Sequence, residues 1–188
     1  IKFASANLSY YQLQQMVFSK IKKYFLQKKI QQSFKTSKRV FANNKIKNIG
    51  ILTTMALNDV YGFEDKVKKL FPKHRSVNWY CFREFHKRDE KSFHHFSNTD
   101  FNWKGKINDV SLQIFVDTPF DVLICYFDTN HVYLESLVKQ SLASFKIGFS
   151  NVNQSLFDLE ISERIDNVDV FNAELKKYLQ ILGSTEAS

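Results

Sequence analysis

The chain has 188 residues, of which 44% are hydrophobic and 24% charged, with a net charge of +8. That length buries one sizeable core and is short for two ordinary domains, and the composition is globular rather than disordered. No apolar run reaches the eighteen or so residues of a spanning helix, and Ile1 to Gln15 lack the pattern of a secretory signal.

The positive charge is unevenly placed. Eleven basic residues precede the first acid, Asp59, so everything after Lys47 carries a net charge of about −3. Ten of the eleven lie between Lys20 and Lys47. A basic arm on a nearly neutral body points to an anionic partner, either nucleic acid or an acidic membrane surface.

In chain order, residues 1–15 read as an upstream extension or truncated start, because Met16 opens a well-formed segment. From Met16 to about Phe34 the spacing predicts a basic amphipathic helix with two apolar stripes. Val17, Phe18, Ile21, Tyr24 and Phe25 form one, and Leu26, Ile30 and Phe34 the other. Ser37 to Asn48 reads as a linker, so 16–47 is an arm and 48–183 the body, followed by a short tail at 184–188. Within the body, Asn48–Thr54 predicts a buried strand, and Phe63, Val67, Leu70 and Phe71 mark a helix closed by Pro72. Ser76–Phe82 predicts a second strand. Arg83–Asp100 reads as a long polar loop with at most a short edge element. A short helix follows over about Asn108–Val116, closed by Pro119. Asp121–Phe127 is apolar almost throughout and predicts a strand covered on both faces. The next helix carries Leu134, Leu137, Val138 and Leu142, with Asp128 or Asn130 as its cap. Phe145–Phe149 and Phe157–Ile161 predict two more strands. Phe171, Leu175, Tyr178, Leu179 and Leu182 form the last helix, capped by Asp169 and stopped by Gly183.

Strands alternating with helices predict a single three-layer, Rossmann-like α/β domain with a mainly parallel sheet. The usual phosphate cradles of that class are missing from the sequence. Thr53-Thr54-Met55-Ala56-Leu57 follows the first strand with no glycine-rich turn, and neither a Walker loop nor a nucleophile elbow occurs. No cofactor is expected. Cys81 and Cys125 lie in apolar, strand-like runs and read as buried thiols. His86, His94 and His95 with Asp89, Glu90 and Asp100 fit no standard zinc spacing and read as a solvated loop.

Asp128 follows an all-apolar strand, so it falls at the carboxyl edge of the sheet, where α/β folds bind ligands; capping the next helix is its other reading, and Asn130 shares both. Trp103, followed by Lys104, Gly105 and Lys106, either stacks a base or sugar or anchors its loop to the core. In the arm, Lys20, Lys22, Lys23, Lys28, Lys29, Lys35, Lys38 and Arg39 are the candidate contacts to an anionic partner. The alternative is that the arm's apolar stripes pack on the body and its lysines merely face water.

Several runs also resemble an uncharacterised family of small Bacteroidota (flavobacterial) proteins, a domain of unknown function. They are Phe120–Asp128, Phe145–Phe149, Asp100–Ile107, the ending Phe171–Leu182 and the basic opening from Met16. The resemblance implies a cytoplasmic protein and brings no catalytic residues with it. The leading expectation is a non-enzymatic binding protein whose arm docks on RNA or the ribosome. The rivals are a peripheral membrane-surface protein and a small enzyme or binding module for a nucleotide or sugar at the edge formed by Asp128, Asn130 and Trp103.

Overall fold

The computed structural model describes residues 2–32, 46–71, 76–85 and 94–181. A long helix, α1 (Lys2–Gln31), precedes a six-stranded sheet made of β1 (Asn48–Thr54), β2 (Ser76–Phe82), β3 (His95–Phe96), β4 (Val122–Tyr126), β5 (Phe145–Phe149) and β6 (Leu159–Ile161). The strands lie in the order β3-β2-β1-β4-β5-β6 and every pairing is parallel. This is the strand order of the doubly wound dinucleotide folds, with its switch point between β1 and β4. The chain is therefore an α/β, Rossmann-like domain.

Register explains how the two faces divide. Thr53 of β1 lies beside Tyr126 of β4, whereas Thr54 lies beside Phe82 of β2, so these two aromatic residues point to opposite faces. On one face Tyr126 stacks on Phe63, at the start of α3 (Phe63–Lys68), with centroids 3.6 Å apart. Phe149 and Phe171, the latter on α6 (Val168–Ile181), complete that cluster. On the other face Tyr80 meets Phe115 of α4 (Val110–Asp117), and Phe82 stacks on Tyr133 of α5 (Val132–Gln140). All five residues of β4 are buried, as a strand covered on both faces requires.

Gly50 in β1 is the seat of Phe120: a Cβ there would fall 2.7 Å from the phenylalanine ring. Lys146 is buried in β5, and its ammonium donates to the carbonyl of Val138 in the last turn of α5. A cation at a helix C-terminus is favourably placed, which accounts for a lysine inside the core.

Several local features differ from expectation. The segment after β1 forms two helices, α2 (Met55–Tyr61) and α3, where one was expected. Thr54 caps the first through its side chain, and Gly62, at φ 59°, breaks the two apart in a left-handed turn. The cap of α5 is neither Asp128 nor Asn130. The helix begins at Val132, so His131 takes the cap position and its Nδ1 accepts from the Leu134 N–H. Asp169 lies inside the first turn of α6 and pairs with Lys66 at 3.2 Å instead of capping. Helix α1 starts at Lys2, well before Met16.

Candidate functional site

The two apolar stripes of α1 have different fates. Leu26 is fully buried and Ile30 nearly so, and this stripe packs the helix on α5. Two buried aliphatic side chains hold it with about 1.5–3 kcal/mol each. Most of the other stripe stays in solvent: Val17, Phe18, Ile21 and Tyr24 are exposed, Tyr24 to 60%, and Phe25 is half-buried. Helical spacing puts Leu26 and Ile30 opposite Val17, Ile21 and Tyr24, so docking one stripe turns the other outward.

The lysines divide in the same way. Lys22 donates to the carbonyl of Asn98 at 2.7 Å and Lys29 to that of Gly105 at 2.9 Å, each spanning 76 residues of sequence. Partial burial lowers the pKa of both. Asp100 partly opposes this at Lys22, and Lys106 adds to it at Lys29. These two act as struts between helix and body. Lys20, Lys23 and Lys28 are exposed, and their ammonium groups make no hydrogen bond or ion pair with the described residues. Lys35, Lys38 and Arg39 lie outside the described residues.

The loop beneath α1 is built to receive it. Gly105 sits at φ 68°, a conformation that favours glycine, and a Cβ there would come within 2.9 Å of Leu26 Cδ2. Trp103 meets Phe25 edge to face at 5.9 Å, and the Lys104 ammonium lies 4.8 Å from the centre of its indole. Trp103 therefore braces its loop against the arm, while half of its surface faces solvent.

The three residues expected to form a ligand edge do not converge. Trp103 belongs to the α1 contact. Asp128 lies within the electrostatic reach of the Tyr126 hydroxyl, on the face of α3 and α6. Burial first, then the charges of Tyr61, Asp128, Asp166 and Asp169, push that phenol well above its usual range, and it donates to the carbonyl of Ile165. Asn130 alone lines a cleft, shared with Gln27 and Gln31 of α1 and with Glu135. Glu135 was not singled out from the sequence. It is 7% exposed, and desolvation raises its carboxyl pKa, partly offset by hydrogen bonds from the His131 backbone and the Asn153 side chain. At the switch point itself, Thr53 Oγ1 donates to the carbonyl of Tyr126 at 2.8 Å.

No helix among the described residues is long and apolar enough to cross a membrane. No curated protein and no solved structure matches the chain. A family of unknown function, DUF6913, matches residues 22–182, from the first strut lysine on α1 to the end of α6, and the chain belongs to that family.

Proposed function

We propose that this is a non-enzymatic docking protein in which the α/β body holds α1 so that its outer face seats on an anionic partner, with RNA the leading class. The carrying observation is the division of the lysines. Lys22 and Lys29 fix the helix, leaving Lys20, Lys23 and Lys28 exposed on a rigid element. From Lys20 to Lys28 the helix rises about 12 Å, room for three or four phosphates at about 3.4 Å per step of one strand. A prefixed helix loses little conformational entropy on binding, which favours affinity.

The test is the triple charge reversal Lys20→Glu, Lys23→Glu, Lys28→Glu in the full chain, assayed by fluorescence anisotropy on labelled ribosomal RNA fragments. Wild-type affinity should fall with salt at a log–log slope of about −2, as three released counterions on a single strand require. The variant should lose at least about tenfold in affinity and keep its circular dichroism. A salt-independent interaction, or equal binding by the variant, removes the reading.

A second reading has its own support, because Val17, Ile21 and Tyr24 stand exposed among the same lysines. That arrangement suits a helix lying in an anionic bilayer surface. Flotation of the full chain with phosphatidylserine vesicles, lost in Ile21→Ser/Tyr24→Ser but retained at high salt, would favour the bilayer over RNA.

A further inference from the structure

Where α1 crosses the start of α5, a cleft of about 560 Å³ opens beside the loop that follows β5. Its polar lining is carboxamide in five of six positions: Gln27 and Gln31 from α1, Asn130 ahead of α5, and Asn151 and Asn153 from the loop. The sixth is the buried carboxyl of Glu135. Ile30, Val132 and Val152 supply the apolar part. No lysine or arginine is among the described residues that line it.

Two features set this cleft apart from an ordinary surface groove. A carboxyl on a buried helix face is costly, and the neighbouring positions Leu134 and Leu137 show what packing alone would select. Glu135 lies within electrostatic reach of the Asn153 side chain and the His131 backbone N–H, which favour its ionised form against the cost of burial. The cleft also sits beyond the carboxyl ends of β4 and β5, the side of the sheet where α/β folds take ligands, and its volume suits a small molecule.

We propose that this cleft binds a neutral, hydroxyl-rich ring, the chemistry shared by a free monosaccharide and the ribose of a nucleoside, with Glu135 and the five carboxamides as its hydrogen-bonding partners. Each carboxamide both donates and accepts, as each sugar hydroxyl does, so the two sets match in either direction. A phosphate or carboxylate ligand is best matched by a cation or a bidentate arginine, and the described residues of the lining include neither. Ile30, Val132 and Val152 match the apolar face of the ring. Because α1 forms one wall, a bound ring bridges the arm to α5.

The experiment titrates the full-length, isotope-labelled chain with D-glucose, D-galactose and D-ribose in one arm, and with adenosine, guanosine, cytidine and uridine in the other. Side-chain amide resonances and the melting temperature are followed. At least one probe should shift the amide signals of Asn130, Asn151 and Asn153 and raise the melting temperature at about 10 mM. The double variant Gln27→Ala/Asn151→Ala changes two exposed residues and so should fold, yet bind at least about tenfold more weakly. Glu135→Gln should retain binding, since it keeps a hydrogen-bonding group at that position, and Glu135→Leu should lose it. A response confined to nucleosides assigns the ring to a ribose, and one shared with the monosaccharides to a free sugar. Absence of response in both arms, or unchanged binding by the Gln27/Asn151 variant, overturns the proposal. Neither result depends on whether α1 docks on RNA.

Discussion

Replacing Leu26 with alanine tests whether α1 is part of the core or an appendage. The side chain is fully buried against the loop at Gly105, with Ile30 one turn on. Leucine-to-alanine changes at such sites cost about 2.7–5.0 kcal/mol, with the low end applying where the surroundings can close on the gap. A single docked helix can settle inward, so about 3 kcal/mol is expected, or a fall of about 6–12 °C in melting temperature for a chain of this size. Urea unfolding followed by circular dichroism gives the first figure. Amide hydrogen exchange over residues 19–30 should show lost protection in α1 with β4 and α6 unchanged. Trp103 emission should move as its contact with Phe25 relaxes. A companion, Gly105→Ala, should destabilise in the same direction, since its Cβ would strike Leu26 from the other side and its backbone favours glycine. A Leu26→Ala chain that loses less than about 0.5 kcal/mol with unaltered exchange would refute the docking, and with it the rigid presentation of Lys20, Lys23 and Lys28.

Two further expectations concern the body. His131 must be neutral to accept the Leu134 N–H, and burial lowers its pKa below 6.5, so its contribution is complete above the unfolded pKa and is lost as pH falls through the folded value. His131→Asn caps without titrating. Urea midpoints from about pH 7 to about pH 5 should therefore drop more for wild type than for the variant, and parallel profiles would contradict the cap. In β1, Gly50→Ala places a methyl 2.7 Å from Phe120 and 2.9 Å from Leu123. It should cost about 1–3 kcal/mol in denaturant melts, part of it recovered by Phe120→Leu, and full stability would mean that Phe120 does not rest on the strand.

What sequence reading reaches here depends on whether a residue's environment is written in its own neighbourhood. Val122–Tyr126 is apolar throughout, and nothing but a doubly covered strand absorbs such a run, so β4 was legible, and the parallel α/β class with it. Strand β3 was legible only as a short edge element somewhere in Arg83–Asp100; its place at His95 and Phe96 was not, because their pairing with Cys81 and Phe82 comes from the far side of a polar stretch of sequence. Glu135 reads as an outward helix position only if α5 has one covered face. It has two, and the second cover is α1, more than a hundred residues earlier. Trp103 was noticed for its composition, but its partner Phe25 lies 78 residues earlier in the sequence. The arm's two stripes were visible as a pattern, whereas which one docks was decided by the glycine loop at 105.

The struts of α1 also bear on biosynthesis. Lys22 and Lys29 find their acceptors 76 residues later, and α5, the helix they help dock, is later still. At about 5–20 residues per second, a ribosome needs about 4–15 s to make that stretch. Through that interval the nascent basic segment has neither its carbonyl acceptors nor its leucine seat, and both apolar stripes are open to the ribosome surface and to chaperones. The same parallel sheet that places β1 at its centre keeps the first part of the chain waiting longest for its partners.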